Sequence, residues 1–102
     1  MSEMTWRDAQ AAKRAGMTTA EREEYDAAAE DSELMLRLAE LVYSARMRAG
    51  LSQSELAARM GTRQPLISAI EGGAQVPTVA MLSRVARATG SRLQVDILAD
   101  AS

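Results

Sequence analysis

Between residues 52 and 71 the chain collects polar side chains suited to gripping an anion and reading a planar amide edge. Gln64 can donate to adenine N7 and accept from adenine N6 at the same time. Arg63 can do the equivalent for guanine or fork a phosphate. Ser52, Gln53 and the amides around them open a helical segment, where unpaired N–H groups attract phosphate oxygens. Histidine and cysteine are both absent. The commonest general base and the thiolate metal sites are thereby removed, which points to recognition without catalysis, cofactor or metal.

Charge is distributed to match. The net charge is -2, yet residues 1–45 carry ten acidic against five basic side chains, whereas residues 46–92 carry seven arginines against Glu55 and Glu71. A basic block beside an acidic arm is the pattern of a nucleic-acid reader joined to something else. No apolar run is long enough to span a bilayer, and the N-terminus lacks the layout of a secretory signal, so the cytoplasm is the expected compartment.

The elements that must position these side chains can be read from their punctuation. Thr5–Asp8 has capping-box spacing and opens a helix ending near Gly16; Thr18–Glu21 opens a second, Ala- and Glu-rich, running towards Ala29. From Asp31 the residues Leu34, Leu38, Leu41, Val42 and Ala45 form an amphipathic stripe that stops at Gly50. Ser52-Gln53-Ser54-Glu55 is a further capping box, with Leu51 and Leu56 placed for a hydrophobic staple. That helix ends at Gly61. Another starts near Thr62–Gln64, accepts Pro65 in its first turn, and runs to Glu71 before Gly72-Gly73. Pro77-Thr78 starts a last helix with Val79, Leu82, Val85 and Ala86 facing inward, ending at Gly90. Arg92–Leu98 alternates, with Leu93, Val95 and Ile97 on one face, which predicts a strand.

Two short helices joined by a Gly-containing turn outline a helix-turn-helix. Ala57 is small where the helices cross, Leu56, Met60, Ile67 and Ile70 fill the crossing, and Arg63, Gln64, Pro65, Ser68 and Ala69 turn outward. Gly50–Ala57, Gly61, Gln64–Gly72 and Pro77-Thr78 together resemble the XRE (Cro/CI-type) helix-turn-helix family over about residues 34 to 90. The Gln-Pro dipeptide, the acidic arm and the downstream strand are most similar to HigA-type antitoxins.

The resemblance implies an all-α, four- to five-helix, lambda-repressor-like domain at 32–90, preceded by an acidic helical arm (1–31) and followed by a dimerisation strand and tail (91–102). It implies a non-enzymatic repressor, homodimeric on a palindromic double-stranded operator, cytoplasmic and nucleoid-associated. Such a chain would neutralise a basic HigB/RelE-like ribonuclease toxin. Gln53 then matches a phosphate clamp that buttresses the reading helix, Gln64 a base reader, and Pro65, Ser68 and Ala69 groove-facing positions. Arg46 and Glu71 match a structural salt bridge, which takes Arg46 out of the DNA contacts.

The chain departs from the family's pattern in three places. Arg63 stands where a Ser or Thr cap is usual, leaving capping to Thr62; Ala69 replaces a long polar reader. The loop after Gly72 lacks basic residues, leaving phosphates to its backbone amides and Gln75. A stand-alone regulator of the same fold, or a chiefly protein-binding inhibitory module, is the alternative. Trp6 serves equally as a partner anchor or as a pin for the arm. Glu23, Glu24, Asp26, Glu30, Asp31 and Glu33 could face a basic partner or solvent, while the methionines, Tyr25 and Tyr43 read as packing.

Overall fold

The computed structural model describes residues 6–100, the side chains of Trp6 and Gln10 aside. The cap at Thr5, Met4 and the role of the Trp6 side chain lie outside the described residues. Among the described residues five helices follow one another: α1 (Trp6–Ala15), α2 (Thr19–Arg48), α3 (Gln53–Met60), α4 (Gln64–Glu71) and α5 (Val79–Ala88). None is long and apolar enough to cross a membrane. The chain divides into two compact units, one up to Leu34 and one from Met35 onward.

In the first unit Thr18 caps α2, its hydroxyl accepting from the Glu21 amide at 3.2 Å. Arg14 forks Asp26 with bonds of 2.7 and 2.8 Å, and the Lys13 ammonium stands 5.7 Å from the centre of the Tyr25 ring. The Arg14 bonds hold the Asp26 carboxyl below the usual range, but this pair is open to water and stabilises little. Where the sequence suggests one helix to Ala29 and another from Asp31, α2 continues without a break. No Gly or Pro interrupts residues 19–48, and the Ser32 hydroxyl bonds back to the Ala28 carbonyl at 3.0 Å instead of capping a new helix.

The second unit is built around Val42, Ala45, Leu51, Leu56, Ala57, Met60, Ile67, Ile70, Leu82 and Val85. Leu56 and Ile67 are 0% exposed, at the crossing of α3 and α4. The apolar stripe of α2 is rotated from the one read in the sequence: Ala39, Val42 and Ala45 are buried, while Leu34 and Leu41 are about half exposed. Val79 is exposed too, because Thr78 is the N-cap and the inward positions of α5 begin at Leu82. Of the methionines, Met60 is buried and Met81 packs against the core, whereas Met35 and Met47 are exposed.

No strand occurs among the described residues, so the predicted strand at Arg92–Leu98 is absent from the single chain. A strand exists only through a neighbour's backbone, and an all-helical chain offers this segment none. Leu93 packs against the core, but Val95, Ile97 and Leu98 are largely exposed.

A buried cation ties α2 to α4. Arg46 Nε and Nη2 donate to the two carboxylate oxygens of Glu71 at 2.7 and 2.8 Å, and Nη1 donates to the Leu51 carbonyl at 2.9 Å. The Glu71 bond is the main cause that raises the Arg46 pKa above its ordinary value. Both side chains are nearly closed to water, at 10% and 6% exposure, so neither charge tolerates loss of the other. Arg46→Met should therefore cost about 3–5 kcal/mol in urea unfolding, and Arg46→Met combined with Glu71→Met clearly less. Equal losses in single and double variants would contradict this pairing.

The α3 cap gives an acid-sensitive element. Bonds with the Ser52 amide and hydroxyl hold the Glu55 carboxyl below its ordinary value. A group lowered on folding stabilises above its unfolded pKa, about 4.3 for glutamate, and loses that contribution as pH falls through the folded value. Ser52→Ala should cost about 1 kcal/mol near neutrality. Glu55→Gln, which removes the titrating carboxyl, should flatten the acid limb of the stability curve below about pH 4.3, measured by thermal melts across pH.

Candidate nucleic-acid interface

The reading edge begins with α3. The Ser52 hydroxyl accepts from the Glu55 amide at 3.0 Å, and the Glu55 carboxylate accepts from the Ser52 amide at 3.1 Å. This reciprocal cap spends those two donors, while the amides of Gln53 and Ser54 have no acceptor within the helix. Ser52 is exposed and Gln53 is half-buried.

A three-residue turn, Gly61-Thr62-Arg63, carries the chain into α4. Gly61 is left-handed at φ 67°, which closes α3 and lets the Thr62 amide bond the Ala57 carbonyl at 2.9 Å. Ala57 is 2% exposed, and its small side chain admits α4 across α3. The N-cap of α4 is Arg63, not Thr62, and it makes no side-chain capping bond. Pro65 in the first turn needs no N–H there, so the helix starts without that cap. Arg63 is exposed, and its guanidinium has no ion-pair partner among the described residues.

Across α4, Ile67 and Ile70 are buried while Pro65 and Ser68 are exposed and Gln64 and Ala69 half-buried. Gln64 does not stand alone. Its Nε2 donates to Gln53 Oε1 at 2.7 Å, and Gln53 Nε2 donates to Glu71 Oε1 at 3.3 Å. A polar chain therefore runs from buried Arg46 through Glu71 and Gln53 to Gln64 at the surface. Each amide nitrogen keeps a second hydrogen, and Gln64 keeps its carbonyl oxygen, so a donor and an acceptor remain for a base edge. Gln53 keeps one donor for a phosphate.

The loop after α4 differs from its sequence reading. The amides of Gly72, Gly73, Ala74 and Gln75 all donate back to carbonyls of Ser68, Ile70 and Ala69. They close the helix and are not donors for phosphate, which leaves the exposed Gln75 side chain. The arginine block is also thinner than its count. Arg46 is buried, Arg59 donates to the Ala88 carbonyl at 3.2 Å, and Arg84 donates to the Met60 carbonyl, so these three serve helix ends and a core ion pair.

Two features of the network had no sequence signal: the Leu51 carbonyl that takes the third arginine bond, and the Tyr43 ring 5.3 Å from the Arg46 guanidinium. Backbone acceptors are invisible in a sequence, and Tyr43 shows only an aromatic three residues before the arginine.

The profile of the helix-turn-helix family matches residues 42–95, a little over half of the chain. The antitoxins HigA1 of Mycobacterium tuberculosis strains CDC 1551 / Oshkosh and ATCC 25618 / H37Rv are each 41% identical over 66 residues. That alignment takes in 65% of this chain and 44% of theirs, so the chain spans less than half the length of these relatives. No solved structure matches. Five helices, a three-residue turn between α3 and α4 and the family profile lying over both agree: the chain belongs to the XRE-type helix-turn-helix family and is similar to HigA antitoxins.

Proposed function

We propose that the chain is a HigA-like, autoregulating antitoxin that represses its operon as a homodimer on a palindromic operator, in the cytoplasm at the nucleoid. The observation that carries the DNA-reading part is Gln64 anchored through Gln53 and Glu71 to buried Arg46. A reader fixed before binding loses less side-chain entropy on contact. In this reading Gln64 takes adenine, Arg63 guanine or a phosphate, and Ser68 a neighbouring base edge, while Pro65 and Ala69 pack on the groove, where a thymine methyl suits them. Ser52, Gln53 and Gln75 hold phosphates. Leu93, Val95 and Ile97 join two copies, so that two α4 helices meet successive major grooves about 34 Å apart.

The arm supports the second part. Glu23, Glu24, Glu30, Asp31 and Glu33 are exposed, and Asp26 is engaged by Arg14. A basic HigB/RelE-like ribonuclease is the partner that such a surface suits, and the similarity to HigA1 antitoxins points the same way. The direct test is the neighbouring gene: its product, if a basic ribonuclease, should lose activity on mixing with this chain. A ribonuclease left fully active would remove the antitoxin part and leave a stand-alone regulator.

For the DNA part, Gln64→Ala should cost about 1–3 kcal/mol of operator binding and relax preference at one base position, read by gel shift against a panel of single-base operator variants. Equal weakening on every sequence would instead make Gln64 a phosphate contact.

A further inference from the structure

The tail that leaves α5 borders a groove. Leu41, Val42, Ala45 and Arg48 of α2, Leu82, Val85 and Ala86 of α5, and residues 91–94 line about 250 Å³, room for an aliphatic side chain, the lining being apolar apart from Arg48, Ser91, Arg92 and Gln94. Leu93 sits in this lining, half-buried, and directly beyond it Val95 is 66% exposed, Ile97 100% and Leu98 85%. The chain thus carries, side by side, an unfilled apolar groove and apolar residues without cover. Its own tail is poorly suited to fill the groove. Ile97 would have to double back over the three residues beyond Gln94, and 91–102 contains no Gly or Pro to make that reversal.

A second copy fits, and the pattern of the tail favours one register. In an antiparallel pair related by a two-fold axis, residues i and j face each other when their sum is constant, and side chains alternate between faces. An axis at Asp96 sets two carboxylates directly opposite each other, which is destabilising. An axis at Gln94 sets Arg92 opposite the partner's Asp96 and Leu93 opposite Val95, but leaves the fully exposed Ile97 against Ser91. An axis at Val95 pairs Val95 with itself and each Leu93 with the partner's Ile97, so residues 93, 95 and 97 of the odd face all meet apolar ones, while on the even face Arg92 lies opposite the partner's Leu98. On the even face Gln94 then faces the partner's Asp96. That would replace, between chains, the bond from Gln94 Nε2 to Asp96 Oδ2 that a single chain makes at 3.1 Å.

We infer that two copies pair their tails about Val95, and that the partner's Ile97, set beside Leu93, covers the groove formed by Leu41, Val42 and Val85. This rests on the homodimer proposed above and adds its register and socket. The pairing turns coil into strand only in the dimer, consistent with its absence from one chain.

The lack of cysteine gives a clean test on the full-length chain. Sedimentation gives the mass of the unmodified protein, and Val95→Cys, Gln94→Cys and Asp96→Cys are each oxidised mildly. A dimer in which the Val95 variant cross-links to near completion, several-fold faster than the other two, is the expected result. Leu93→Cys mixed with Ile97→Cys should then give the mixed cross-link. Ile97→Asp and Leu41→Asp, at positions open enough to leave folding intact, should weaken the dimer at least several-fold.

A monomeric protein, in solution and on operator DNA, would overturn the homodimer and this inference together. A stable dimer that cross-links preferentially at 94 or 96, or whose mass is unmoved by both aspartates, would overturn the register and socket while leaving the homodimer in place. An internal disulfide in a Leu41→Cys/Ile97→Cys chain at high dilution would show the tail folding onto its own groove, and would also overturn it.

Discussion

A buried positive charge must be matched where it lies, and in this protein that requirement organises the rest. Arg46 is withdrawn from water by the core, so its guanidinium must find acceptors inside the fold. It finds them on two later segments: the Leu51 carbonyl just before α3 and the Glu71 carboxylate at the end of α4. One side chain thereby fixes where α3 begins and where α4 ends. The apolar crossing of Leu56, Ala57, Ile67 and Ile70 supplies most of the stabilisation. It is non-directional, however, and would accept small rotations of α4 that the arginine fork does not.

The same pair reaches the surface through amides. Glu71 accepts from Gln53 as well as from Arg46, and Gln53 in turn accepts from Gln64. Each bond is modest, since a net hydrogen bond contributes about 0.5–1.5 kcal/mol. What the series contributes is orientation: a long, flexible glutamine at the start of α4 is held against a neighbour that is itself held by a buried ion pair. A side chain so held loses less freedom when it meets a ligand.

Much of this was legible in the residues. The Ser52–Glu55 box, the glycine at 61 and the pattern of Leu56, Ile67 and Ile70 marked α3, α4 and their crossing, because caps and periodicity are local signals. Where local signals compete, spacing alone misleads. Asp31-Ser32 resembles a helix start, yet unbroken helix propensity on both sides carried α2 through it. Leu41 and Val79 fit an inward stripe by spacing alone, but the neighbours that would cover them in a single chain are not there. The amides after Gly72 look like phosphate donors until their acceptors on α4 are known. The strand read at 92–98 does not form, because alternation of side chains supplies no neighbouring backbone to pair with. Arginine counting overstated the basic face for a similar reason: charge is local in sequence, but its partners are set by the fold.

The most direct test of the account is a nitrogen-resolved NMR titration of the chain with its operator, following the side-chain amides of Gln53 and Gln64, the Arg63 Nε–H and the Ser68 backbone amide. The account predicts that these move together, in slow exchange with the matched duplex and only weakly with a scrambled one, while Arg46 Nε keeps its position because its carboxylate partner is unchanged. Shifts confined to the arm or the tail, with the α4 signals unmoved by the matched duplex, would contradict it.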